Sequence, residues 1–186
     1  MESPEGINIY KCYTIILNMN APTKIPGFKI RKAEKKDAGK ILKFIKALAE
    51  YEKLSEMVCA TVPDIEKNLF SEKPVAEVIF GELNGEAVGF ALYFYNFSTF
   101  LGKPGIYLED LFVLESMRGR GYGKELLRYL AKLAVDRGYG RVEWSVLDWN
   151  IPSIEFYKSL GADIMKEWLL NRLTGEALVR MAGGSS

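Results

Sequence analysis

The stretch Gly105 to Val135, "GIYLEDLFVLESMRGRGYGKELLRYLAKLAV", constrains the fold most. Residues Gly105 to Leu114 form an apolar run of strand length. Leu126, Leu127, Leu130, Leu133 and Ala134 then fall along one stripe of a helix that Gly138 closes. Between the two lie Gly119, Gly121 and Gly123 with Arg118, Arg120 and Lys124. A strand that turns tightly into an amphipathic helix belongs to a layered α/β domain, in which the helix packs back on the sheet through a right-handed crossover.

The rest of the chain supplies the other layers. "FKIRKA" predicts a short strand. In "KKDAGKILKFIKALAEYEKL", Ile41, Phe44, Ile45, Leu48 and Ala49 share one helix face. "VPDIEKNLF" predicts a shorter helix opened by Pro63 and Asp64. "AEVIFGELNGEAVGFALYFY" predicts a hairpin turning at Asn84-Gly85. "RVEWSVLDW" predicts a strand, and "NIPSIEFYKSLG" a helix capped by Asn150 and stopped at Gly161. "ADIMKEWLLNRLTGEALVRM" predicts two strands around a Thr-Gly turn. Residues 1–26 are expected to be an N-terminal extension or linker, with an extra strand in "INIYKCYTIIL" and a linker in "NMNAPTKIPG". Residues 27–182 form the expected domain, and residues 183–186 a flexible tail.

The glycine-rich turn fails two phosphate motifs. A Walker loop needs Ser or Thr after Gly-Lys and a glycine five residues before the second one, whereas Glu125 follows Lys124 and Arg118 holds the earlier position. The spacing of Gly119, Gly121 and Gly123 also differs from the dinucleotide fingerprint. Such a turn can still aim several backbone N–H groups at one anion, with the helix dipole behind them and Arg118 and Arg120 as charged donors. The plainer alternative is a tight turn with solvated arginines.

Composition narrows the chemistry. Twenty-five basic and 24 acidic residues give a net charge of +1, which argues against binding nucleic acid through bulk positive charge. No apolar run reaches the ~18 residues of a membrane span. The first twenty residues lack the pattern of a signal peptide, so a cytoplasmic location is expected. Cys12 and Cys59 form no metal or redox motif. Histidine is absent, which removes histidine triads and histidine metal ligands; no metal is expected. Proton transfer must use Glu, Asp, Tyr, Lys, Cys or water.

Arg118, Gly121 and Gly123, after "LEDLFVL", resemble the acetyl-coenzyme A motif of the GNAT N-acetyltransferases. "IRKAEKKDAGKILKFIKALAEYEKL", "YLEDLFV", "RGRGYGKELL" and "DWNIPSIEFYKSLGA", in that order, are similar to the diamine (spermidine/spermine) acetyltransferases and their thialysine-acetylating relatives, from about Phe28 to Met181. The resemblance implies the GNAT (acyl-CoA N-acyltransferase) α/β fold: a mixed sheet of about six to seven strands, flanking helices and a splay between the two strands around the coenzyme site. It implies acetyl-CoA as cosubstrate. The backbone of Arg118, Gly119, Arg120, Gly121, Tyr122, Gly123 and Lys124 would hold the pyrophosphate, and Leu111, Phe112 and Val113 would run beside the pantetheine arm. Asn150, Ile151, Pro152 and Ser153 would complete the site; by themselves Asn150 and Ser153 fit helix capping equally well.

The reaction implied is acetyl transfer to a primary amine of a small cationic acceptor, a polyamine or diamine. Glu109 matches the general base, acting through water, and Tyr157 the general acid. Read alone, Glu109 is a strand-edge charge beside Asp110, and Tyr157 a core tyrosine. Tyr51, Glu52, Glu109, Glu143, Trp144, Ser145 and Glu167 match acceptor contacts, although the loop before Glu167 is three residues shorter than in the family. Other acceptors in view are thialysine or lysine-like amines and a protein amine; a coenzyme A-binding module without chemistry is the remaining rival. The family also implies a homodimer, often exchanging a C-terminal strand, and an intramolecular hairpin accounts for the same segment.

Overall fold

Strands β3 (Glu77–Leu83) and β4 (Glu86–Ser98) form the hairpin that the Asn-Gly pair predicts, with positive φ at Asn84 (52°) and Gly85 (90°). The computed structural model describes residues 20–184, and within them the chain divides into two compact units that meet in sequence at Ser145 and Val146.

The first unit is built on a six-stranded mixed sheet in sequential order. Its members are β1 (Asn20–Pro22), β2 (Phe28–Lys32), β3, β4, β5 (Lys103–Val113) and β6 (Val142–Trp144). All neighbouring pairs are antiparallel except β5 and β6, which are parallel and joined through helix α3 (Tyr122–Asp136). Helices α1 (Ala38–Tyr51) and α2 (Val62–Leu69) lie between β2 and β3 in the chain.

Alternation along the strands serves two layers. Val78, Phe80 and Phe90 pack with Ala38, Ile41 and Phe44 of α1 and Ile65 of α2. The intervening positions meet α3: a Cβ on Gly81 would lie 3.6 Å from Leu126, and one on Gly89 3.4 Å from it. The stripe predicted for α3 is the buried one, with Leu126, Leu127, Leu130, Leu133 and Ala134 in the core. Arg31 on β2 ties the start of α1 to β3, forking onto Asp37 at 2.7 and 3.0 Å and reaching Glu82 at 2.7 Å.

The second unit, Val146–Ser186, carries α4 (Ile151–Ser159) and α5 (Gly175–Met181) among its described residues. Here the sequence reading needs correction. The two strands expected in "ADIMKEWLLNRLTGEALVRM" are an irregular stretch and helix α5. A helix satisfies its backbone locally, whereas a strand needs a neighbour, and Glu176 and Arg180 form an ion pair one helical turn apart (3.3 Å). The strand expected over "RVEWSVLDW" is limited to Val142–Trp144. The expected linker contains the edge strand β1. The strand expected in "INIYKCYTIIL", and Cys12 within it, lie outside the described residues. Cys59 is exposed and free. Among the described residues no helix is long and apolar enough to cross a membrane.

Gly89 marks a close approach of β4 to the backbone of β5. A Cβ there would sit 2.9 Å from the carbonyl oxygen of Phe112 and 3.1 Å from the Val113 side chain. Gly89→Ala is expected to cost about 1–3 kcal/mol, read as a lower urea midpoint at unchanged slope.

Candidate active site

The site begins with an irregularity in β5. Leu92 stands opposite Asp110 and Tyr93 opposite Leu108, so Glu109 is an extra residue with no counterpart on β4. This is a β-bulge, and it exchanges the two faces of the strand. Beyond it Asp110 and Phe112 share the face of Leu92 and Phe90, toward α1. Before it Ile106 and Leu108 share the face of Tyr95 and Tyr93. On the other edge, the ladder with β6 ends at the pair Leu108 and Trp144. From Glu109 to Val113, β5 therefore lacks its parallel neighbour, and Glu109 is exposed where the strands part. This agrees with the splay expected from the sequence.

The glycine loop follows directly. A short 3-10 turn, Glu115–Met117, leads into Arg118, and Gly119 and Gly121 take φ of 75° and 85°. Gly121 is the N-cap of α3 and offers no side-chain oxygen to the first turn. The first bond of the helix runs from the Glu125 N–H to the Gly121 carbonyl (3.1 Å), which leaves the amides of Tyr122, Gly123 and Lys124 without an acceptor inside the helix. Helices α2 and α4 are finished differently, with Thr61 and Asn150 accepting from their first turns. An anion with several oxygens fits the unsatisfied amides of α3. Tyr122 can contribute only its amide, since its ring is buried and stacked on Phe28 at 4.5 Å. Phe112 is likewise committed to the core, 6.4 Å from Phe44, while Leu111 and Val113 are half-buried opposite Ala91 and Gly89.

Three carboxylates gather at the parting of the strands. Burial, with the negative charges of Glu109 and Glu52, pushes the Asp110 carboxyl up to about 6. Burial also raises Glu52, which follows the last residue of α1. Asp110 was not singled out from sequence, although it stands two residues before Phe112 on a face that is otherwise apolar. That break in alternation is the signal that points to it.

The structure brings some expected residues together and commits others elsewhere. The Tyr51 ring lies 6.5 Å from Phe112 and 4.1 Å from the Arg118 guanidinium. The Glu143 carboxylate is held by Arg141 and by the Asn96 amide, both at 2.7 Å, so its charge is largely compensated. Ser145 shares a hydrogen bond with the Tyr107 hydroxyl (2.9 Å), and Trp144 pairs with Leu108.

In the second unit, Asn150 caps α4 by accepting from the Ser153 N–H (3.4 Å), with Ile151 and Pro152 in the first turn. Tyr157 is half-buried on α4 beside Phe156. Glu167 is exposed in the irregular stretch before α5.

Asp110 has a consequence for stability. Its folded carboxyl titrates near 6, above the ~3.9 of an unfolded aspartate. The folded state thus holds the proton more tightly, and stability falls as pH rises from about 4 to about 6. Asp110→Asn is expected to melt higher than the unaltered protein above pH ~6, by of order 2 kcal/mol. The gap should close below pH ~4, where both side chains are neutral. A melting series across this range checks it.

Comparison with known proteins agrees with this geometry. The model of the "Acetyltransferase (GNAT) family" matches residues 45–162. Thialysine N-epsilon-acetyltransferase of Bos taurus is 39% identical over 165 residues, covering 83% of this chain and 96% of its own. Spermidine/spermine N(1)-acetyltransferase-like protein 1 of Homo sapiens is 34% identical over 170 residues, covering 86% of this chain and 24% of its own. Among solved structures, an integron cassette protein from the mobile metagenome of V. cholerae superposes with a TM-score of 0.72 at 28% identity, covering 84% of this chain and 98% of its own. The chain belongs to the acetyltransferase (GNAT) family and is an N-acetyltransferase.

Proposed function

We propose that this enzyme moves an acetyl group from acetyl-CoA to a terminal primary amine of a small aliphatic cation, a diamine or polyamine. The observation that carries the reading is the cluster of Glu109, Asp110 and Glu52 at the point where β6 leaves β5, next to a glycine loop with unsatisfied amides. An acidic opening attracts and orients a cationic acceptor. Thialysine-type amino acids are the second reading; they carry the same terminal ammonium, and a thialysine acetyltransferase is similar over most of this chain.

Each role belongs to a named group. Acetyl-CoA supplies an activated acetyl thioester. The amides from Gly119 to Lys124 hold the pyrophosphate, and Leu111 and Val113 flank the arm that carries the acetyl group. The family resemblance assigns further coenzyme contacts to Asn150, Ile151, Pro152 and Ser153. Glu109 takes the proton that the acceptor ammonium, with a pKa near ~10, must lose to become a nucleophile. Tyr157 gives a proton to the departing sulfur. Asp110 and Glu52 hold the second positive charge of the acceptor. Tyr51, Trp144 and Ser145 shape the acceptor pocket, with Glu143 at its rim. A homodimer in the cytoplasm is part of the same reading.

A panel of amines, including spermidine, putrescine, ornithine and thialysine, tests it by coenzyme A release and product mass. At least one should gain a single acetyl group; release with none of them would sink the proposal. Glu109→Gln is expected to lower kcat by about 100-fold or more, with acetyl-CoA affinity almost unchanged. Tyr157→Phe should behave alike, and full activity in both variants would remove these two roles. The acceptor KM is expected to rise as pH falls through about 6, where Asp110 takes up its proton and loses its charge. Asp110→Asn should raise KM at pH 8 and flatten that dependence.

A further inference from the structure

Arg118 stands first in the glycine-rich motif, yet its side chain is directed to the C-terminal end of α1. Its Nε–H donates to the Val113 carbonyl at 3.1 Å. Its guanidinium carbon lies 4.1 Å from the centre of the Tyr51 ring and 5.3 Å from that of Phe112. Its own N–H is bonded to the Glu115 carbonyl at 3.1 Å, which pins its backbone at the root of the glycine loop. Tyr51 is the last residue of α1, and Glu52 follows it.

We propose that Arg118 is a positioning residue, a clamp that fastens the acceptor end of α1 to the end of β5 and the start of the coenzyme loop. The planar guanidinium is suited to this, because one group can lie flat on an aromatic ring while its edge donates a hydrogen bond. A lysine ammonium has no such plane. The last turn of a helix also carries partial negative charge, which favours a cation there. Through this contact the acceptor and coenzyme sites share one side chain, so that disturbing Tyr51 on the acceptor side loosens the loop on the coenzyme side. The inference rests on the reading that the loop holds acetyl-CoA and that Tyr51 and Glu52 face the acceptor.

The test uses the full chain with Tyr51→Leu, Tyr51→Phe, Arg118→Met, Arg118→Lys and the double variant Tyr51→Leu/Arg118→Met. Acetyl-CoA affinity is measured by calorimetry without any amine, and melting midpoints are measured without any ligand. Tyr51→Leu is expected to weaken acetyl-CoA roughly three- to tenfold, although it lies on the acceptor helix. Tyr51→Phe keeps the ring and should keep the affinity. Arg118→Lys should not rescue the loss seen in Arg118→Met. The double variant should be no weaker than the poorer single variant, in affinity and in midpoint. Unchanged acetyl-CoA affinity in Tyr51→Leu, or losses that multiply in the double variant, would overturn the clamp. Intact acetyl-CoA binding with no amine acetylated would sink the acceptor reading alone, and the affinity comparison would still decide the clamp. Absence of acetyl-CoA binding would sink the functional reading and the coupling of ligands together, while additive ligand-free midpoints would by themselves remove the contact.

Discussion

The extra residue in β5 is the constraint on which the rest of the site depends. A regular strand would present Ile106, Leu108, Asp110 and Phe112 to one side of the sheet. With Glu109 inserted, Ile106 and Leu108 serve one face, while Phe112 joins the α1 core on the other. Both layers are thus filled from a single strand. The cost is a residue without a partner on β4, and it is a carboxylate at the place where β6 also departs. A hydrophobic side chain there would have nothing to pack against; a glutamate can remain solvated and available.

The polar groups around this point follow one pattern: those not committed to the fold are the ones available for chemistry. Thr61 and Asn150 close the starts of α2 and α4, but Gly121 leaves the start of α3 open. Glu143 is paired with Arg141 and bonded by Asn96, whereas Asp110 is half-buried beside Glu109 and Glu52 with its carboxyl pushed up. A half-buried carboxyl among like charges is destabilising, and the cationic acceptor proposed above offers a reason to keep it. In that proposal, an acceptor with two positive charges would relieve the repulsion on binding.

Much of this was legible in the chain itself because it is local. Helix faces, the Asn-Gly turn and the cap of α4 depend on residues within a few positions of one another, and the order of "YLED", the glycine loop and "NIPSIEFYK" carried the resemblance to acetyltransferases. The C-terminal segment was misread for the opposite reason. Its apolar residues suit either state, and the local bonds of a helix separate the two for "GEALVRM". The edge strand β1 was missed because its hydrogen-bond partner, β2, lies across a turn and leaves no periodic pattern.

The sequence by itself determined the layers, which follow from short-range spacing, and it carried the family through ordered motifs that resemble those of acetyltransferases. Only the tertiary structure decided which residue of β5 has no partner, that Asp110 is half-buried beside two other acids, and that Arg118 spans to Tyr51. Register, burial and contact between Tyr51 and Arg118 are relations between segments distant in the chain. They exist only once the hydrophobic layers have fixed where each segment lies.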